Sequence, residues 1–274
     1  MENIFHKNTR PLVIGTILIL VIFFITFLRF SFSHNQPDTA SQLQAEIDST
    51  LKKATKISTS QLAQKINTKE SLNIIDIREA GDYAQEHLPN SSNIPLSNLK
   101  NSISILEKNK TYTLIDTSAL LTTTAYGVKT FLEEGFNNVT YLDGGFAAWK
   151  NTYNQTISAG NPNSLSDQSK VSYVDSEKLK EMLEKEKNIA LIDVRKKTDY
   201  AGGHLKGALN IFLADLESKK QEIPTSGKII LYDADGSGAA FQAAVRLFDM
   251  GIFNAYTLSD GLNTWQSKKF EVVK

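Results

Sequence analysis

Two aspartates end apolar strands in this chain, and each stands where a strand gives way to a helix. In the second, Ile229, Ile230, Leu231 and Tyr232 read as a buried strand running into Asp233. The loop that follows holds Ala234, Asp235, Gly236, Ser237 and Gly238, and a helical period then runs through Phe241, Ala244, Val245 and Phe248. The first version is TYTLIDTSALLTTTAYGVKTF, where Asp116, Thr117 and Ser118 take the corresponding places. A tight loop at the C-terminal end of a parallel strand gathers backbone N–H groups into one small space. The helix dipole adds positive potential there. That geometry suits capture of an anion or support of a nucleophile. The plainer reading is turn and N-cap chemistry by aspartate ahead of a helix.

Other chemistry-bearing residues recur as pairs. Asp76 and Arg78 in IDIR, and Asp193 and Arg195 in LIDVR, are two apart and share one side of a strand end. They could be an anion-binding arginine with its orienting carboxylate, or an internal ion pair that pins the next loop. His87 and His204 open equivalent loops and could act as acid or base, but with no nucleophile beside them they read as hydrogen-bonded loop residues. Trp149 and Trp265 read as core anchors.

These pairs belong to an internal repeat. Asp76/Asp193, Arg78/Arg195, Asp82/Asp199, Tyr83/Tyr200, His87/His204 and Asn93/Asn210 share a spacing of 117 residues. Beyond the aspartate loops the spacing is 116, as in Gly135/Gly251, Leu142/Leu258, Gly145/Gly261 and Trp149/Trp265. One residue is therefore gained or lost within the loop and helix themselves. Each unit alternates strand and helix patterns, which predicts an α/β fold with a parallel sheet covered on both faces. The units run 56–150 and 171–274, joined by a polar Gly/Pro/Ser/Asn-rich linker at 151–170.

At the N-terminus, Pro11–Leu28 carries no charge and can nearly cross a ~30 Å hydrocarbon core at ~1.5 Å per residue. A cleaved signal peptide is the competing reading, but no A-x-A-like site follows. The expectation is a cytoplasmic tail at 1–10, one transmembrane anchor at 11–32 and a spacer at 33–55. Lys7 and Arg10 outweigh Arg29, which places the remainder outside the cytoplasm. A short helix is predicted within Ser41–Lys53, with Leu43, Ile47 and Leu51 in register.

Composition narrows the functions. Thirty basic residues balance thirty acidic ones in 274, which gives no field for nucleic acid. There is no cysteine, which excludes disulfides, thiolate nucleophiles and cysteine-ligated metals, and only four histidines are present. No cofactor or metal is expected.

The pattern IDVR-x4-Y-x3-HL-x-GA-x-NI, followed by strand–loop–helix and LDGGFAAWK, resembles the rhodanese (sulfurtransferase) family in tandem, over Ile57–Lys150 and Val171–Lys268. The resemblance implies two five-stranded parallel sheets with helices on both sides. It also implies a catalytic loop after each central strand, opened by a cysteine that carries persulfide and holding an arginine. Here Asp116 and Asp233 stand at the cysteine positions, and Leu121 and Gly238 at roughly the arginine's. A serine oxygen cannot carry a transferable sulfane sulfur, so Ser118 and Ser237 do not substitute. The implied function is a membrane-anchored module inactive in sulfur transfer, which binds an unidentified protein partner or small ligand.

Two alternatives attach to Asp233. DADGS resembles, locally, the nucleophile motif of haloacid-dehalogenase-like phosphatases, with Asp233 as nucleophile, Asp235 as acid/base and Mg²⁺ on the phosphate. Asp233, Asp235, Ser237 and Gly238 also resemble the start of a calcium loop, whose twelfth position is here Ala244 rather than an acid. A carboxylate at the loop's mouth opposes an anionic substrate and is expected to occupy the loop itself.

Overall fold

The computed structural model describes residues 26, 39–117, 121–236 and 238–274. The expected membrane anchor lies outside these residues except for Thr26, and among the described residues no helix is long and apolar enough to cross a membrane. The chain divides into two units, Met1–Lys53 and Ala54–Lys274. The first contributes the helix α1, Thr39–Leu51, which begins two residues ahead of the predicted segment.

The second unit holds both repeats. The first repeat opens with β1 (Thr55–Ile57) and α2 (Thr59–Asn67). α2 starts at Ser58 because the Ser58 hydroxyl accepts the Gln61 N–H while the Gln61 side chain accepts the Ser58 N–H. Then follow β2 (Asn73–Asp76), α3 (Ala80–Gln85), β3 (Glu86–His87), β4 (Ser91–Asn93) and α4 (Leu99–Ser102). The repeat closes with β5 (Tyr112–Ile115), α5 (Leu121–Glu133), β6 (Val139–Leu142) and α6 (Gly145–Asn151). β1, β6, β5, β2 and β4 lie side by side in that order, all parallel.

The second repeat is reached through β7 (Ile157–Ser158) and α7 (Leu165–Gln168). It runs β8 (Ser172–Val174), α8 (Ser176–Lys185), β9 (Ile189–Asp193), α9 (Lys197–Gly202) and β10 (Leu209–Asn210). β11 (Lys228–Tyr232), α10 (Ala239–Asp249), β12 (Ala255–Leu258) and α11 (Gly261–Ser267) complete it. Its sheet has the same order, β8-β12-β11-β9-β10, again parallel throughout. The aspartate-ending strands β5 and β11 are therefore central in both sheets.

Helices cover both faces, and this explains the unbroken apolar runs. In β11, Ile229 and Leu231 pack with Ala240, Ala244 and Leu247 of α10. Ile230 and Tyr232, one residue out of phase, pack with Leu179, Leu262 and Trp265 on the opposite face. Each such buried side chain contributes about 2 kcal/mol relative to exposure. The tryptophans close their repeats as anchors. Trp149 is 1% and Trp265 4% exposed, and their indole N–H groups donate to Gln155 and Glu271 carbonyls at 2.9 and 3.0 Å.

Residues 151–170 take a defined path across both repeats. β7 pairs antiparallel with β3, Glu86 opposite Ser158 and His87 opposite Ile157. The second repeat has the same contact as a bridge between His204 and Val273. On its other side the segment is tied to α10: the Ser158 N–H donates to Asp249 at 2.9 Å, and Lys170 bridges Asp167 and Asp249 at 3.0 and 2.9 Å.

Candidate functional site: two aspartate-plugged loops

Asp233 leaves β11 into a loop pressed hard against the β12–α11 turn. A β-carbon on Gly261 (φ 65°) would lie 2.5 Å from the Asp235 Cα, and one on Gly236 (φ 75°) would lie 2.1 Å from the Ser259 carbonyl. Only glycine fits either position. The backbone is also tied across that turn, with the Leu262 N–H donating to the Asp233 carbonyl at 3.0 Å and the Asn263 N–H to the Ala234 carbonyl at 2.8 Å.

Within this loop the amide cradle is filled from inside. The Asp233 carboxylate, 4% exposed, accepts the N–H of Gly236 at 2.6 Å, of Ala240 at 3.0 Å and, at a longer 3.4 Å, of Gly238. The carboxylate thus holds the helix-start donors that an anionic ligand would otherwise use. Asp235 is exposed, and Ser237 lies outside the described residues.

The first repeat solves the same problem differently. Asp116 is equally buried, and its carboxylate accepts the hydroxyl of Thr124, a side-chain donor, at 2.6 Å. Thr124 stands where the second repeat has Ala240. Burial pushes the Asp116 carboxyl up to about 6, and the Thr124 hydrogen bond only partly opposes this. Thr117 is exposed, its carbonyl accepting the Ala147 N–H at 3.1 Å, while Ser118 lies outside the described residues. Sequence reasoning missed Thr124. Its signal was a threonine in the first turn of a helix, which many proteins use only as a local cap.

The Asp–Arg pairs are internal ion pairs. Arg78 grips Asp76 through Nη2 at 2.7 Å and Nε at 3.0 Å, and its Nη2 also donates to the Glu86 carbonyl at 2.8 Å. Arg195 repeats this on Asp193 and on the Gly203 carbonyl. Both carboxylates are 0% exposed, so these guanidiniums are committed to fixing the loop after the strand. Arg78 further lies 3.7 Å over the Phe146 ring, and the Phe146 N–H donates to the Asp116 carbonyl at 2.8 Å. Arg78 and the Asp116 loop are therefore coupled through one residue.

The histidines are likewise spent on structure. His87 and His204 stack on Tyr83 and Tyr200 with centroids 3.9 and 3.7 Å apart, and each Nδ1 meets the carbonyl of that tyrosine. His87 Nε2 also meets Glu217 of the other repeat at 2.9 Å. Among the described residues no group of three acids or histidines is placed to hold a metal ion.

This duplicated strand–loop–helix frame, with its paired Asp–Arg strand ends, matches a known family. The profile of the rhodanese-like domain covers residues 58–152 and again 175–268. The chain belongs to the rhodanese-like domain family. Among curated relatives, the putative sulfurtransferase YtwF of Bacillus subtilis is 32% identical over 94 residues, covering 34% of this chain and 88% of YtwF. The uncharacterized protein YqhL of the same organism is 38% identical over 78 residues, 28% of this chain and 61% of YqhL, so the chain spans under two thirds of that relative. Among solved structures, a thiosulfate sulfurtransferase from Pseudomonas aeruginosa aligns over 80% of this chain and 43% of its own, with 19% identity and a TM-score of 0.42. Both rhodanese-like domains here lack any cysteine.

Proposed function

We propose that this chain is a membrane-anchored binding module whose two rhodanese-like domains no longer transfer sulfur. The observation that carries this reading is the Asp233 carboxylate seated on the amides of Gly236 and Ala240, in a chain without a thiol. A sulfur carrier needs a thiolate at the loop's start and free amides to hold the incoming anion. The thiolate is absent from both domains. In the second, the Asp233 carboxylate occupies the amides of Gly236, Gly238 and Ala240, and in the first the loop begins with a buried carboxyl group. The phosphatase-like use of Asp233 is disfavoured by the same bonds, since both carboxylate oxygens already accept backbone N–H groups. The apolar segment Pro11–Leu28 supports attachment to a membrane, with the domains on its outer side.

The test is a thiosulfate-to-cyanide assay on the full chain, beside fractionation of the cells that make it. The expected results are thiocyanate formation at the rate of a protein-free blank and recovery with the membranes, resistant to salt and carbonate. Turnover above the blank would overturn the loss of sulfur transfer. Recovery in the soluble fraction would overturn the anchor.

A further inference from the structure

A cleft of about 920 Å³ lies where the two repeats meet, and none of its lining residues belongs to either aspartate loop. Its volume suits a small ligand. Asn67, Lys69, Asn90 and Ser92 line it from the first repeat, Glu217 and Lys220 from the second. The walls are tied together: His87 meets Glu217 at 2.9 Å, and the Gln155 side chain donates to the Asp249 carbonyl.

The acceptors of this cleft are largely spent, and its donors are not. Glu70 meets Lys65 at 2.6 Å and the Thr68 hydroxyl at 3.3 Å. Asp249 accepts the Ser158 N–H and meets Lys170, which it shares with Asp167. Glu217 uses one oxygen on His87. Against these stand two ammonium groups without a carboxylate partner, one from each repeat. Lys220 gives one N–H to the Met250 carbonyl at 3.0 Å and keeps two, and Lys69 makes no bond through its ammonium. Both lysines are exposed. The amides of Asn67 and Asn90 and the hydroxyl of Ser92 add further donors.

Two of these donors sit on strained backbone. Among the described residues, four that are not glycine have positive φ, and two of them, Lys69 at 56° and Asn90 at 61°, line this cleft. Lys69 follows α2 in the left-handed position that ends a helix: its N–H donates to the Ile66 carbonyl and the Glu70 N–H to the Lys65 carbonyl. Glycine is the usual residue there, since it has no β-carbon to clash. The second repeat carries neither side chain in this way. Glu186, 117 residues beyond Lys69, is extended at φ −112°, and Gly207 stands in the place of Asn90 at 81°. The first repeat thus holds an ammonium and an amide on backbone that its copy avoids or gives to glycine. Strain of this kind collects at ligand clamps. Ammonium groups act as point charges and suit a phosphate, whereas a carboxylate matches the planar fork of arginine. No arginine is among the described lining residues.

We propose that this cleft binds a small phosphorylated molecule through Lys69 of the first repeat and Lys220 of the second. The proposal rests on the binding-module reading and deepens it by naming a ligand class, and it uses neither aspartate loop. The test is isothermal titration calorimetry on the full chain, in an uncharged detergent and metal-free buffer. Pyrophosphate is the probe and succinate the carboxylate contrast. Lys69→Gly removes one ammonium and relieves the left-handed backbone, and Lys220→Gln removes the other at an exposed position. Lys187→Gln removes an equal charge from an exposed lysine outside the cleft. Each cleft variant is expected to weaken pyrophosphate binding at least fivefold without lowering the thermal midpoint, and Lys187→Gln to leave the affinity unchanged. No saturable binding of pyrophosphate, succinate bound as tightly, or a loss in the cleft variants no larger than in Lys187→Gln would overturn the proposal. The thiocyanate assay reads sulfur transfer and the titration reads the cleft, so the two readings fail separately.

Discussion

The Thr124 hydroxyl donates to the Asp116 carboxylate at 2.6 Å in the place where the Ala240 amide serves Asp233. Two copies of one loop thus satisfy the same buried acid with different donors. In the first copy the compensation is incomplete, and the Asp116 carboxyl is held at about 6 by burial.

That value sets a pH dependence. A buried acid whose pKa rises from 3.8 to about 6 binds more protons in the folded than in the unfolded state between those values. Stability therefore falls as pH rises through that window, and the penalty is complete above it. Two pK units correspond to roughly 3 kcal/mol. Asp116→Asn is expected to raise the thermal midpoint at pH 7.5 and to leave it nearly unchanged at pH 4. Equal effects at both pH values would show that Asp116 is charged in the fold throughout.

Removing the Asp233 carboxylate should destabilise the fold rather than stabilise it. That carboxylate serves the amides of Gly236 and Ala240, so Asp233→Ala leaves those donors without an acceptor. The cost is about 1–3 kcal/mol. The emptied cradle is then open to a small oxyanion. Adding 50 mM sulfate is expected to restore part of the lost midpoint in Asp233→Ala, with no comparable gain in the parent chain at matched ionic strength. Thermal melts with sulfate and with chloride distinguish the two.

Arg78 and Arg195 offer a paired comparison. Both grip a fully buried aspartate, but the Arg78 side chain is 4% exposed and that of Arg195 14%, and Arg78 also covers Phe146. Removing one partner of a buried pair costs about 3–5 kcal/mol, because the other charge stays behind unpaired. Arg78→Met should cost more than Arg195→Met. The double variant Asp76→Asn with Arg78→Met should recover part of the loss, as read by urea unfolding. No recovery would mean that the arginine matters chiefly through its stacking on Phe146.

Much of this architecture was legible from residues alone. The unbroken apolar strands before Asp116 and Asp233 announced sheets covered on both faces, and the i, i+2 spacing placed Asp76 beside Arg78. The expectation that a loop carboxylate would fill its own cradle describes Asp233, because that loop's glycines bring N–H groups to it. For Asp116 one donor is the Thr124 side chain, which a reading of the loop's backbone does not reach. Residues 151–170 read as a polar linker because their partners are distant in sequence: Gln85, Glu86 and Asp249. The His87–Glu217 contact spans 130 positions and was invisible for the same reason.

That segment carries the last prediction. Lys170 sits between Asp167 and Asp249, whose side chains are 10% and 9% exposed, while the lysine itself is 18% exposed. Burial pushes the Asp249 carboxyl up, and its bond to Lys170 pulls the other way. Burial also works against the Lys170 ammonium, but its bonds to Asp249 and Asp167 hold it above the ordinary range. Lys170→Met leaves two buried carboxylates with no cation, at a cost of about 3–5 kcal/mol near neutral pH. Without the lysine, the burial that already pushes the Asp249 carboxyl up loses the bond that opposes it, and Asp249 favours protonation in the folded state. The deficit should therefore shrink as pH falls from 7 toward 4.5. Urea unfolding at the two pH values measures this, and adding Asp249→Asn should restore stability at pH 7. A deficit that does not change with pH would mean that the Lys170 stem, through its packing, holds this segment on α10.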